Sequence, residues 1–377
     1  MAFLSRLAGT EISSFQLFQV FRQAGVLLGA VLLSRSGLGR GLVGTFEWYL
    51  FLGTTLSFFW INGLMQGFLR YGGELSPRLE QRSFFLAVYC FLWLLSALLF
   101  VAINLWGPSI AIALGIQVSL SLLSVFGVFL LLHLPAFIVE HYFLLNRDAI
   151  ALRRYGWYHF IGYLLALGLP TFLGYGLKGI FFGLIYWSAG KHLILGYKFL
   201  GAGLPKPSFH LLKPWIGLSL PLIGYALIGG FHEPFDNWLV NQTYSADPGI
   251  FALYRYGSRE LPFILVLSAG LSTAMLPFVS REGPTAYGAL KMRAVGLMHL
   301  LFPLSTLLLA TSSWWFPLVF SVDFAAAVPV FNSLVLVLIS RTLFPQTLMI
   351  ALGQQKILLW VSVAELVINV SLSIGLV

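Results

Sequence analysis

Charge is what this chain has least of. Only 9% of its 377 residues are Asp, Glu, Lys or Arg, where a soluble domain carries about a quarter. So few cannot clothe a water-facing surface, which excludes a folded soluble domain. Cysteine is nearly absent too. The single Cys90 excludes a disulfide framework and a cysteine metal site. Also missing is the alternation of polar and apolar residues over about ten positions that marks a membrane β-strand. The first apolar run carries Arg22 and no small-residue cleavage site follows it, so it reads as a retained span.

What is present is apolar: 59% of the residues are hydrophobic. Continuous runs of roughly 20 such residues recur, the length needed to cross a hydrocarbon core of about 30 Å. The expected spans are 15–34, 45–69, 84–105, 116–139, 157–175, 178–200, 215–240, 249–279, 295–319, 325–352 and 357–377. The fold class is therefore an all-α polytopic membrane protein with about eleven spans.

The net charge of +9 is arranged by topology. With the N-terminus inside, fourteen basic residues fall in inner segments (Arg6, Arg70, Arg78, Arg82, Arg147, Arg153, Arg154, Lys198, Lys206, Lys213, Arg281, Lys291, Arg293, Lys356) and three in outer ones (Arg35, Arg40, Lys178). That asymmetry sets the orientation by the positive-inside rule and argues against nucleic acid as a partner. Trp48, Tyr49, Trp106, Trp314 and Trp315 fall near expected outer ends, as an aromatic belt would.

Two stretches read alike. Gly44-Thr45-Phe46 leads through a span to Gly63-Leu64, Arg70 and Glu74; Gly249-Ile250-Phe251 leads to Gly270-Leu271, Arg281 and Glu282. The offset is 205 residues at the first glycine and 207 at the second. Each stretch is the second helix of a six-helix unit, so the repeat is parallel. The expected division is a six-helix lobe over 1–205 and a second, incomplete lobe of about five helices over 206–377. By the same offset a twelfth helix ends about 207 residues after the sixth, beyond Val377, so the expectation is a truncated form.

Asp236-Asn237-Trp238-Leu239-Val240, then Asp247-Pro248-Gly249-Ile250-Phe251-Ala252-Leu253-Tyr254, then Leu271-Ser272-Thr273-Ala274-Met275-Leu276-Pro277 resembles the seventh and eighth helices of polysaccharide (O-antigen) flippases. Those share a superfamily with MATE-type multidrug exporters and lipid II flippases. Phe21-Arg22-Gln23-Ala24-Gly25, Leu38-Gly39 and Val43-Gly44-Thr45-Phe46 resemble the first helix pair, and Gly353-Gln354-Gln355-Lys356 a family turn. The resemblance covers nearly the whole chain, although family members usually have twelve to fourteen spans. It implies two lobes around a central cavity, alternating access, no cofactor and a bacterial cytoplasmic membrane. The implied cargo is an undecaprenyl-diphosphate-linked oligosaccharide for surface polysaccharide or lipopolysaccharide, moved from the inner to the outer leaflet.

Ionisable residues inside spans carry the residue-level case, since each costs about 2.5–3.5 kcal/mol on insertion scales and needs a partner or water. His232, Glu233 and Asp236 cluster on one expected helix, Arg255, Arg259 and Glu260 on the next. Pro234 is expected to kink the first of them, and Gly229-Gly230 just before it is read as a packing pair that also permits bending. Two readings fit this group. The arginines form a fork for a diphosphate, with His232, Glu233, Asp236 and Glu260 coupling or gating through a proton or sodium ion; or the charges lock the two helices together. Arg22, alone in the first span, is expected to face a cavity. Arg341, Lys191 and His192 join it in a cationic vestibule for a diphosphate head group, or Arg22 and Lys191 snorkel to the interface. His133 and Glu140, seven apart, share a helix face and form either a proton path or a plain helix contact. Glu47 is read as a helix cap.

Other classes fit less well. Residues 35–44 contain no Asp or Glu, where a membrane-embedded glycosyltransferase of the lipid-linked kind keeps a catalytic acid, and no long outer loop suits a polymerase. No metal cluster, nucleophile triad, phosphate loop or channel filter is legible. Two alternatives remain: an ion-coupled multidrug exporter, whose cavity should be acidic rather than arginine-bearing, and a structural scaffold that has lost transport together with its end.

Overall fold

The computed structural model describes residues 11–75, 78–113, 119–146, 148–200, 205–259, 271, 287–337, 348–349 and 355–376. Among these there is no strand. The helices are α1 (Glu11–Ser34), α2 (Gly39–Glu74), α3 (Arg78–Ala113), α4 (Leu120–His133), α5 (Ile138–Leu145), α6 (Ala149–Phe172), α7 (Gly176–Leu200), α8 (Leu212–Gly229), α9 (His232–Thr243), α10 (Pro248–Gly257), α11 (Tyr287–Phe320), α12 (Val328–Val337) and α13 (Gln355–Leu376).

Among the described residues, five stretches are long and apolar enough to cross a membrane: Leu17–Ser34, Leu79–Ile110, Leu120–Leu145, Phe209–Ile228 and Tyr287–Phe320. Helices α6 and α7 have the length, at 24 and 25 residues, but Tyr, Trp, His and Gly dilute them. The fourth expected span is interrupted: α4 gives way to a 3-10 turn over Pro135–Phe137 before α5 begins. Proline has no N–H to continue the ladder. His133 and Glu140 consequently do not share one helix face.

The seventh expected span is also two helices. Its break falls at Gly230–Phe231, between α8 and α9, and not at Pro234. Pro234 sits in the first turn of α9, where a missing N–H costs nothing because that donor has no helical partner anyway.

Helix α2 is the spine. Its 36 residues span about 54 Å, and neighbours pack on it through glycine. At one end a side chain on Gly44 would lie 1.7 Å from the Pro248 carbonyl oxygen of α10. Further along, Gly63 meets the Ile223 backbone and Gly67 meets Ser219, both on α8. Between membrane helices there is no hydrophobic drive to associate, so close backbone approach at small residues supplies the contact. The two stretches that read alike in the sequence thus touch at their matching ends.

Tight hairpins join neighbours. Gly37 and Gly39 (both φ +77°) turn α1 into α2, and Gly174 (φ +75°) and Gly176 (φ +60°) turn α6 into α7. A Cβ would strain each of these left-handed positions. Between the first helices the core is aromatic: Phe46, Tyr49, Phe126 and Phe181 pack with ring centroids 5.1–5.7 Å apart. Trp48 and Tyr49 belong to this buried core, not to an interfacial belt, whereas Trp106 and Trp314 are exposed.

Candidate functional site

The helix break at Gly230 starts α9, which lies alongside α10 and is tied to it through Arg255. Glu233 and Asn237 on α9 both accept from the Arg255 Nη1 group of α10, at 2.9 and 3.3 Å. The other side of Arg255 faces Glu47 of α2, Nε to Oε2 3.6 Å. Arg259 also donates to Glu47, through Nη2 to Oε1, and through Nη1 to the Val26 carbonyl of α1 at 3.1 Å. The Arg259 guanidinium lies 4.8 Å from the Tyr256 ring centre. Tyr256 donates to the Ala30 carbonyl and stacks on Phe324 at 4.5 Å.

Both arginines therefore converge on one carboxylate. Glu47 is 1% exposed, and it lies more than two turns inside α2, whose first residue is Gly39. It is not a cap. The sequence-level signal was present, since an ionisable residue within an apolar helix is a site by default; placing the span start at 45 hid it. Arg259 lies beyond the described end of α10 at Gly257, so the two arginines meet at Glu47 from helix and helix end, not from one helical face. Asp236 accepts from Ser373 of α13 at 3.3 Å. His232 opens α9. Arg341 and Glu260 lie outside the described residues.

Further ties join the same parts of the chain. Arg40 pairs with Asp247 at 3.6 Å, and Arg35 Nε donates to the Val319 carbonyl at 2.8 Å. Together with the Glu47 pairs they fasten the α1–α2 end to α10 and α11.

A second polar group lies among α1 and α3–α7. Lys191 of α7 is 3% exposed and rests its Nζ 3.4 Å from the centre of the Trp187 ring. The rings of His133 and His159 pack on the same indole at 5.5 and 4.9 Å. His133 Nδ1 contacts Ser188 Oγ at 3.3 Å, and His192 joins Tyr89 Oη to the Leu132 carbonyl. Arg22 and Glu140 stand within electrostatic reach of Lys191. Among the described residues neither Arg22 nor Lys191 has an ion pair. Arg22 and Lys191 thus fall in one region, Arg255 and Arg259 in another.

No protein-family description and no curated protein matches the chain. Solved structures do. A lipid II flippase MurJ in an inward closed conformation superposes with a TM-score of 0.65 and 16% identity, over 90% of this chain and 79% of that one. An inward-facing multidrug resistance MATE family transporter of the MOP superfamily gives 0.59 and 15%, over 96% and 87%. A MOP superfamily transporter from Pyrococcus furiosus gives 0.57 and 17%, over 95% and 86%. This chain is an all-α, multi-pass membrane protein with the fold of MOP-superfamily transporters.

Proposed function

We propose that this chain is a membrane transporter, not an enzyme, that moves a lipid-linked oligosaccharide across a bacterial cytoplasmic membrane by alternating access. The moving parts in this reading are the lobes 1–205 and 206–377, and the carrier is a prenyl diphosphate such as undecaprenyl diphosphate. One observation carries the reading: two guanidiniums, Arg255 and Arg259, are occupied by a single buried carboxylate, Glu47. A phosphate oxyanion has the charge and fork geometry to replace a carboxylate between arginines. Glu47 is then the stand-in that holds the arginines while the α1–α2 end is fastened to α10.

Arg22 and Lys191, which have no ion-pair partner among the described residues, are the cations free to take the diphosphate first. Separation of the lobes removes Glu47 and frees Arg255 and Arg259 for the second station, while Arg341 is assigned with Arg22 and Lys191 to the first. Glu233 and Asp236, with His232 and Glu260, are the groups assigned to gating and to a coupling proton or sodium ion.

The test is flipping of a fluorescent prenyl-diphosphate oligosaccharide in proteoliposomes, read by protection from an external glycosidase. Arg22→Ala and Arg255→Ala should each lower the rate at least about tenfold, the loss of about 1.4 kcal/mol of transition-state binding. Unchanged flipping in both variants, or export of cationic dyes in its place, would overturn the assignment.

A further inference from the structure

Glu47 lies on the first of the two proposed lobes, and both of its counter-ions, Arg255 and Arg259, lie on the second. Parting the two would treat the partners unequally. Arg255 keeps Glu233 and Asn237, and Arg259 keeps the Tyr256 ring, all from their own side. Glu47 keeps no cation from either arginine. On its own side Tyr163 of α6 stands within electrostatic reach, and a phenol brings no positive charge. Arg40, two turns earlier on α2, is exposed and faces Asp247 instead. The titratable and charged groups around Glu47 are thus Tyr163 from α6, Glu233 from α9, Arg255 and Tyr256 from α10, and Arg259.

In the fastened state two guanidiniums hold the Glu47 carboxylate ionised. Its Oε2 atom is buried and has no hydrogen-bond partner, so water does not reach it, and a proton can enter only as the ends part. An ionised carboxylate stripped of its counter-charge on an apolar helix is costly, and such a group neutralises by taking a proton. The water that enters the gap supplies it. The carboxylates assigned to coupling above do not change surroundings in this way. Glu233 is already in water, and Asp236 is held by Ser373 of its own lobe.

We propose that Glu47 is the binding site of the coupling proton: it takes up one proton as the α1–α2 end parts from α10 and α11, and returns it when they close. The inference rests on the alternating-access reading above and not on the identity of the cargo.

The experiment uses the full chain in nanodiscs without cargo, with nitroxides on Leu42→Cys and Val322→Cys in a Cys90→Ser background. Leu42 and Val322 are exposed and lie on α2 and just after α11. Pulsed electron resonance reads the populations with these labels near and far. From about pH 8 to about pH 5 the far-to-near ratio should rise, by up to about tenfold per pH unit for one proton. Glu47→Gln, a neutral isostere, should hold the far population at every pH, and Glu47→Asp, which keeps the carboxylate, should keep the slope. Asp247→Asn removes an exposed carboxylate of the same fastening and should raise the ratio evenly without flattening its slope. A slope that survives Glu47→Gln, or one that disappears in Asp247→Asn or Glu233→Gln, would overturn the proposal. So would one distance at every pH, or a ratio that follows sodium at constant pH. Steep opening in a protein that does not flip the prenyl-diphosphate oligosaccharide supports the proton site and removes the cargo reading. Flipping with opening that ignores pH removes the proton site alone.

Discussion

Glu47 is the residue on which the candidate site turns. It is buried, and both Arg255 and Arg259 depend on it. Removing one partner of a buried pair leaves an uncompensated charge and costs about 3–5 kcal/mol. Glu47→Ala should therefore lower the melting temperature in detergent clearly, and by more than Glu233→Ala, because Glu233 is 77% exposed and surface pairs contribute only about 0–1 kcal/mol. Combining Glu47→Ala with Arg259→Leu should cost less than the sum of the two, since the second change removes the stranded charge. Additive melting-temperature losses in that cycle would mean the pair is not coupled. The sequence marked the arginines but not their partner. An arginine in an apolar run stands out by itself, whereas a glutamate close to a presumed helix start has a ready local explanation.

At the level of helices, glycine decides where backbones meet and where they part. Gly230 ends α8, while Pro234, the louder signal in the sequence, sits harmlessly in the first turn of α9. Gly44 is the tightest crossing: a Cβ would stand 1.7 Å from the Pro248 oxygen, and backbone on both sides has nowhere to yield. Gly44→Val should force α2 from α10 at a cost of about 1–3 kcal/mol or more. Gly41→Ala, three residues earlier with nothing within 4 Å, should be silent. Thermal unfolding of the two variants side by side checks this, and equal behaviour would show that the crossing is not tight. Helix type and rough extent were legible from apolar run length. The interruption at Pro135 was not, because a bilayer-length apolar run reads the same whether one helix or two cross it, whereas the Gly229-Gly230 pair did mark a place where the seventh span can bend.

For the whole molecule, the contacts Arg40–Asp247, Arg35–Val319, Glu47–Arg255 and Glu47–Arg259 all lie at the same fastening of α1–α2 to α10–α11. Under alternating access this fastening has to open. Arg40→Cys with Asp247→Cys, joined by a short bismaleimide in a Cys90→Ser background, should stop flipping once cross-linking is complete, while the uncross-linked double variant continues. Full flipping by the cross-linked protein would show that this end never separates. The amino-acid sequence by itself determined that the chain is helical and lives in a membrane. Scarce charge and continuous apolar runs permit nothing else, and intramembrane cost singles out the ionisable residues one at a time. Which of them meet was decided only by the tertiary structure. Glu47 and Arg259 are 212 residues apart, and a pair closed over that distance by helix packing leaves no local pattern in either segment.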